Sequence, residues 1–112
     1  MSVSSGIFTF PLTGIYLVKF NVALANDSGE MTFRIKATTN NSTYNDVAFG
    51  GIGHGADQEA MGGTYSLIDV TDTSNVKVKF NFNNFTGSGT TARGSTTQNQ
   101  TFLTFIRLGD TW

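Results

Sequence analysis

The feature that most constrains the fold of this chain is a turn that separates a short apolar run from a long alternating segment. Pro11 is the only proline of the 112 residues, and Gly14 follows it closely. From Tyr16 onward every second residue is a large apolar one, which is typical of a β-strand with one buried face because strand side chains repeat every two residues. The buried face is predicted to carry Tyr16, Val18, Phe20, Val22 and Leu24. The chain therefore opens with a turn and a half-buried strand.

Strand patterns recur along the rest of the chain, and no segment shows a sustained helical pattern. Residues 31–38 and 76–82 alternate most clearly, whereas residues 42–49 and 63–70 are weaker strand candidates. The run 101–108 is apolar on both faces, which is typical of a central strand covered on both sides. The glycine-rich stretch 50–55 and the polar stretch 86–100 are predicted to be loops.

Many short strands separated by turns predict an all-β fold, a two-sheet antiparallel jelly-roll sandwich, as a single domain over residues 1–112. The predicted core positions are Tyr16, Val18, Phe20, Phe33, Ile35, Val78 and Phe80. The positions predicted to be exposed on the opposite faces are Arg34, Lys36, Lys77 and Lys79.

Composition and charge exclude several classes of function. Seven basic and eight acidic residues give a net charge of −1, so nucleic acid is not an expected partner. The chain has no cysteine, which excludes a disulfide framework and thiolate chemistry. It has no run of about 18 apolar residues, so membrane insertion is not expected. The first residues do not resemble a signal peptide, which fits release by lysis or within a larger particle.

The residues offer no clear catalytic centre. His54 is the only histidine; it could serve as a base or metal ligand, but a lone histidine in a glycine-rich stretch is more typical of an exposed loop. A glycosidase or lyase would need two facing carboxylates on a strand face, and the strands here present lysine, arginine, threonine and asparagine. We therefore predict that the protein is not an enzyme and has no catalytic residue.

Three blocks of sequence resemble the C1q domain of the C1q/tumour necrosis factor superfamily. The first is the entry Phe10-Pro11 followed by Gly14-Ile15-Tyr16, the second spans residues 68–78, and the third is the closing run 101–106. The chain departs from the family pattern where residues 71–75 replace a Gly-Asp turn and where Thr104 replaces a glycine. The Asn- and Thr-rich composition and the ending 105–110 also look like C1q-like domains of marine bacteriophage structural proteins.

The resemblance implies a non-enzymatic, homotrimeric binding head. We expect a structural or adhesion module of a virion or tail fibre that contacts a host-surface glycan or another virion protein. The alternative is a secreted, extracellular C1q-like lectin of cellular origin, which a leader peptide or collagen-like stalk in the full gene would favour. A carbohydrate-active enzyme built on a jelly roll is a third hypothesis.

The same resemblance supplies candidate site residues. The trimer interface is predicted to contain Tyr16, Tyr65, Leu103 and Phe105, since the axis of such trimers is lined by apolar side chains of central strands. No resident cofactor is expected. Calcium is a candidate ligand at Asp57 and Glu59, because C1q-like domains often bind this ion through loop oxygens, although two nearby carboxylates are also typical of a solvated turn. Tyr44 and Trp112 are candidate glycan contacts, since a flat ring stacks on a pyranose.

Overall fold

The structure is a computed structural model that describes residues 1–26, 29–55, 58–83 and 90–112. These residues form nine strands and no helix. The strands are β1 (Ser2–Ser4), β2 (Ile7–Thr9), β3 (Gly14–Asn26), β4 (Gly29–Thr38), β5 (Asn45–His54), β6 (Ala60–Val70), β7 (Lys77–Asn83), β8 (Thr90–Ala92) and β9 (Phe102–Gly109). None of the described residues belongs to a helix that would span a bilayer.

The strands form two antiparallel sheets. The five-stranded sheet has the order β1-β2-β7-β4-β5. The second sheet is centred on β3, which pairs with β6 along one edge and with β9 and β8 along the other. We name it the β3 sheet. The predicted all-β fold of two packed antiparallel sheets is confirmed.

The core lies between the two sheets and contains most of the predicted positions. Six of the seven predicted core side chains are at most 4% exposed: Tyr16, Val18, Phe20, Phe33, Ile35 and Val78. Phe80 is half-buried and packs against this cluster. The four basic side chains on the opposite faces were expected to be exposed, but they are half-buried because they lie along the sheet surface against neighbouring side chains.

Phenylalanine rings join the sheets across the core. The Phe20 ring of the β3 sheet meets the rings of Phe33 and Phe80 at centroid distances of 5.7 and 5.2 Å, both edge-to-face. Phe105 of β9 contacts Phe80 at 5.9 Å and Phe8 at 5.4 Å. Edge-to-face pairs stabilise a core beyond the burial of their area, by about 1 kcal/mol each.

The predicted entry turn is tied to the last strand. The Tyr16 hydroxyl donates a hydrogen bond to the Leu12 carbonyl over 3.0 Å. Gly14 has a φ of 145°, and a Cβ at this position would lie 2.5 Å from the Gly109 carbonyl oxygen. Arg107 donates from Nε to the Thr13 carbonyl over 3.0 Å. The glycine is therefore required by close approach of the turn to β9.

One predicted loop is a strand in the structure. Residues 50–54 continue β5 and pair with β4, so the loop prediction for this glycine-rich stretch is wrong. Glycine weakens a strand but keeps both backbone hydrogen-bonding groups, and here β4 provides an adjacent strand to pair with. Within the stretch 86–100, Thr90–Ala92 forms the short strand β8.

Candidate functional site

Three of the four predicted interface residues face the interior of the sandwich. Tyr16 is only 4% exposed, and Leu103 and Phe105 pack against the core cluster. The reason is register: Leu103 pairs with Phe20 and Phe105 with Val18, and cross-strand partners share a face of the sheet. This placement corrects the sequence-based assignment for these three residues. Tyr65 lies on the outer face, as that assignment requires, and is 68% exposed.

The outer face of the β3 sheet carries a row of apolar side chains. Leu67 of β6, Leu17 of β3 and Ile106 of β9 are neighbours across the three strands. Leu67 is 52% exposed and Ile106 46% exposed. The group that we call the apolar face is Leu17, Tyr65, Leu67, Ile106 and Leu108. Single exposed apolar residues are ordinary on a protein surface, whereas a neighbouring group of them makes this face a candidate contact surface.

The outer face of the five-stranded sheet is polar and basic. Four cationic side chains, which we call the basic face, project from two neighbouring strands: Arg34 and Lys36 of β4, and Lys77 and Lys79 of β7. These are four of the seven basic residues in the chain. Lys36 and Lys79 are direct cross-strand partners. The basic face thus concentrates positive charge on a protein whose net charge is negative.

Asp46 of β5 neutralises part of this charge. Its carboxylate accepts a hydrogen bond from Lys36 Nζ over 2.6 Å and lies 3.2 Å from Arg34 Nε. The hydrogen bond from Lys36 lowers the pKa of Asp46 below its ordinary value of 3.8, and the charges of Lys36 and Arg34 act in the same direction. Asp46 therefore remains ionised and holds both cations in place on the sheet.

Two aromatic rings flank the basic face. Lys79 Nζ lies 4.3 Å from the centroid of the Tyr44 ring, and the Arg34 guanidinium lies 5.1 Å from that of Phe49. The Tyr44 hydroxyl oxygen is buried and has no hydrogen-bond partner among the described residues. Phe49 is 58% exposed. Tyr44, a predicted ligand contact, is thus half-buried beneath a lysine, and Phe49 is the more accessible ring of the two.

A trough lies along β5 on the face that also carries Phe49. It has a volume of about 310 Å³ and is lined in part by Glu30, Thr32, Gly51 and Gly53. A Cβ at Gly51 would meet no atom closer than 3.8 Å, so neither packing nor backbone conformation requires glycine there. By contrast, a Cβ at Gly50 would lie 2.6 Å from the Phe33 ring in the core.

The predicted calcium pair is only partly described. Asp57 lies outside the described residues. The Glu59 carboxylate forms an ion pair with Arg93, beside a cavity of about 360 Å³. Within the described ranges no three His, Cys, Asp or Glu side chains gather as a metal site would require. One oxygen of the Glu59 carboxylate is thus paired with Arg93 rather than with an ion.

His54 and Trp112 are not part of the basic face. His54 ends β5, and its Nδ1 donates to the Gly55 carbonyl over 3.1 Å. Its Nε2 is buried without a partner among the described residues. Trp112, the second predicted ligand contact, is 80% exposed at the chain end.

Comparisons of this chain with protein-family models, with curated proteins and with solved structures found no match. The candidate surfaces therefore rest on the molecule's own geometry. The sequence did show lysine and arginine alternating with core residues in two segments, but not that those segments are adjacent strands. That adjacency, fixed by the pairing of β4 with β7, creates the basic face.

Proposed function

We propose that this protein is a non-enzymatic, homotrimeric structural and adhesion module that serves as a head domain of a virion or tail fibre. The observation that carries the proposal is the apolar face, where four side chains of a 112-residue chain are between 46% and 68% exposed. Packing three copies around an axis would remove this surface from water, and cyclic symmetry would close the assembly.

Two further observations support a trimer of the C1q type. The three sequence blocks that resemble the family occur in the family's order. The strand that carries the third block, β9, lies beside β3, which begins with the first block. In this proposal the contact is made by Tyr65, Leu67 and Ile106 rather than by Leu103 and Phe105, which fill the core of each copy.

Paired charge insertions test the proposed contact. Leu67→Glu and Ile106→Glu each place a carboxylate on the apolar face. The control, Leu12→Glu, places a carboxylate in the entry turn, outside the apolar face, where the parent leucine is 62% exposed. Light scattering coupled to size-exclusion chromatography gives the mass of each variant. We expect the Leu12 variant to keep the trimer mass and the two face variants to lose it. Folded trimers from both face variants would contradict the proposal.

Gene context tests the biological setting separately. Neighbouring tail or capsid genes would support a virion protein, whereas a leader or collagen-like stalk encoded in the same gene would support a secreted lectin. Either outcome is independent of the oligomeric state.

A further inference from the structure

We propose that the basic face and the adjoining trough form a binding site for an acidic polysaccharide, a chain of sugars that bear carboxylate or sulfate groups. The inference deepens the adhesion role proposed above and rests on it for its biological setting. It is independent of the trimer contact, because the basic face lies on the five-stranded sheet and the apolar face on the β3 sheet.

The first argument is the arrangement of charge. Lys36 and Lys79 lie directly opposite each other on paired strands, and like charges in this position destabilise a sheet. Asp46 offsets the repulsion on one side by binding Lys36 and Arg34. Lys79 is held over Tyr44, and Lys77 donates a hydrogen bond to Thr9 over 3.4 Å. Asp46 neutralises only part of the positive charge of the four cations, and an anionic ligand would neutralise more of it.

The second argument is the trough. Glycine inside a strand destabilises that strand relative to alanine. Gly51 has room for a Cβ on the outer face, so packing does not explain why glycine stands at this strand position. Glycine within a strand is also found where a ligand approaches the backbone closely. The trough volume of about 310 Å³ is at the lower end of the range of small-molecule sites.

The third argument is the chemistry of the groups beside the trough. Phe49 offers an exposed ring, suited to the apolar face of a pyranose, and the Arg34 guanidinium lies over that ring within reach of an acidic substituent. Asn81 is the cross-strand partner of Arg34 and can hydrogen-bond sugar hydroxyls. An aromatic ring, a guanidinium and an amide can together bind a sugar that bears an acid group.

The distribution of charge orients the ligand. Glu30 lines the far end of the trough, whereas the four cations lie at the Phe49 end together with one carboxylate, Asp46. A bound sugar would therefore place its acid group toward Arg34, Lys36 and Lys79 and a neutral part toward Glu30. The net charge of −1 favours such local recognition over a nucleic-acid channel, which combines extended positive charge with several stacking rings; among the described residues of this surface, Phe49 is the one exposed ring.

The binding test uses the whole protein and three defined polymers. Polygalacturonate carries carboxylates, dextran sulfate carries sulfates, and unmodified dextran carries neither. A single-stranded oligonucleotide serves as a polyanion of another class. We expect isothermal titration calorimetry at physiological salt to show binding to at least one acidic polysaccharide and not to dextran. No binding to either acidic polymer, or equal affinity for the oligonucleotide, would overturn the proposal.

Two variants separate charge from shape. The double variant Lys36→Gln, Lys79→Gln removes two cations, and we expect it to weaken acidic-polysaccharide binding by about ten-fold or more. Gly51→Val fills the trough in a strand position that tolerates a Cβ, so it should fold at least as well as the parent yet lose binding. Arg93→Gln removes a cation outside both faces and should bind like the parent.

The outcomes distinguish this inference from the proposed function. Unchanged binding by both the lysine and the Gly51 variant, each folded by circular dichroism, would contradict the site. The mass of the same samples reports the trimer independently. A trimer that binds no acidic polysaccharide would overturn only this inference, whereas a monomer that binds through Gly51 and the lysines would overturn only the trimer.

Discussion

At the scale of single residues, packing requires glycine at some positions of this chain and does not require it at others. Gly14 lies where the entry turn touches β9, and Gly50 lies above the Phe33 ring, so a side chain at either position would collide with its surroundings. A Cβ at Gly51 would only make ordinary van der Waals contacts, 3.8 Å from Met31 O and Thr32 Cγ2. Glycines of the first kind are required by the fold, whereas the packing around Gly51 does not require glycine, and this residue lines the trough that we propose as a binding site.

Gly14→Ala tests the structural kind. The φ of 145° disfavours any side chain, and the new Cβ would approach both the Gly109 carbonyl and the Arg107 side chain. We expect a loss of about 2 kcal/mol or more in the free energy of unfolding, measured by urea denaturation. Gly51→Ala is the matched control and should be neutral or slightly stabilising. Equal effects of the two changes would contradict this distinction between glycines.

Asp46 gives the basic face a dependence on pH. Its pKa is lowered mainly by the hydrogen bond from Lys36, so the folded state favours the ionised form more than the unfolded state does. The resulting stabilisation is complete above about pH 5 and is lost as the pH falls below 3.8, through the folded pKa. Because the carboxylate is exposed to solvent, the effect should be small. Thermal unfolding of Asp46→Asn should show a weaker decline in this acid range than the parent; an identical decline would contradict the assigned ion pair.

At the scale of elements, β7 serves both surfaces of its sheet at once. Its inward side chains, Val78, Phe80 and Phe82, contribute to the core or its edge, and its outward lysines contribute to the basic face. A shift of register by one residue would exchange the two sets and bury the lysines. The alternation of this strand therefore determines the core and the basic face together.

Phe80→Ala tests the inward half of β7. The Phe80 ring contacts the rings of Phe8, Phe20 and Phe105, which come from three other strands. We expect the free energy of unfolding to fall by about 3 kcal/mol, at the lower end for this substitution because the residue is only half-buried. Asn81→Ala, on the outward side, should cost much less. A larger loss from the asparagine change would show that the assigned register is wrong.

The strand pattern allowed the fold class and most of the core to be predicted, for a physical reason. Alternation with period two is a local property, and residues 76–82 carry it without interruption. The buried face of β9 was harder to predict, because both faces of this strand are apolar and alternation does not distinguish them. Only the pairing of Leu103 with Phe20 shows which side enters the core. The glycine-rich half of β5 could not be predicted as a strand for a similar reason, because this half is stabilised by pairing with β4 rather than by its own side chains.

The candidate sites depended even more on long-range pairing. The basic face combines residues about forty positions apart in the sequence, and neither segment predicts the other as its neighbour. Asp46 and Phe49 join them only because β5 pairs with the far edge of β4. Tyr44, by contrast, was recognisable as a candidate from its residue type alone, although the structure places it beneath Lys79.

At the scale of the whole molecule, the two sheets present different outer surfaces. The β3 sheet carries the apolar face on its outer side, beside Lys19, and in our proposal this side contacts further copies of the chain. The five-stranded sheet is basic outside and stays accessible in the trimer that we propose. One sheet would then serve assembly and the other adhesion, and three copies of a weak polysaccharide site would bind a repetitive polymer more strongly than one.

The measurement that tests this account most directly is the mass of the parent protein in dilute solution. Analytical ultracentrifugation over a dilution series into the micromolar range should give three times the 12.0 kDa chain mass. Because burial of an apolar face of this kind is obligate in character, dissociation should accompany unfolding rather than precede it. A folded 12.0 kDa monomer throughout the series would contradict the trimer and the role assigned here to the apolar face.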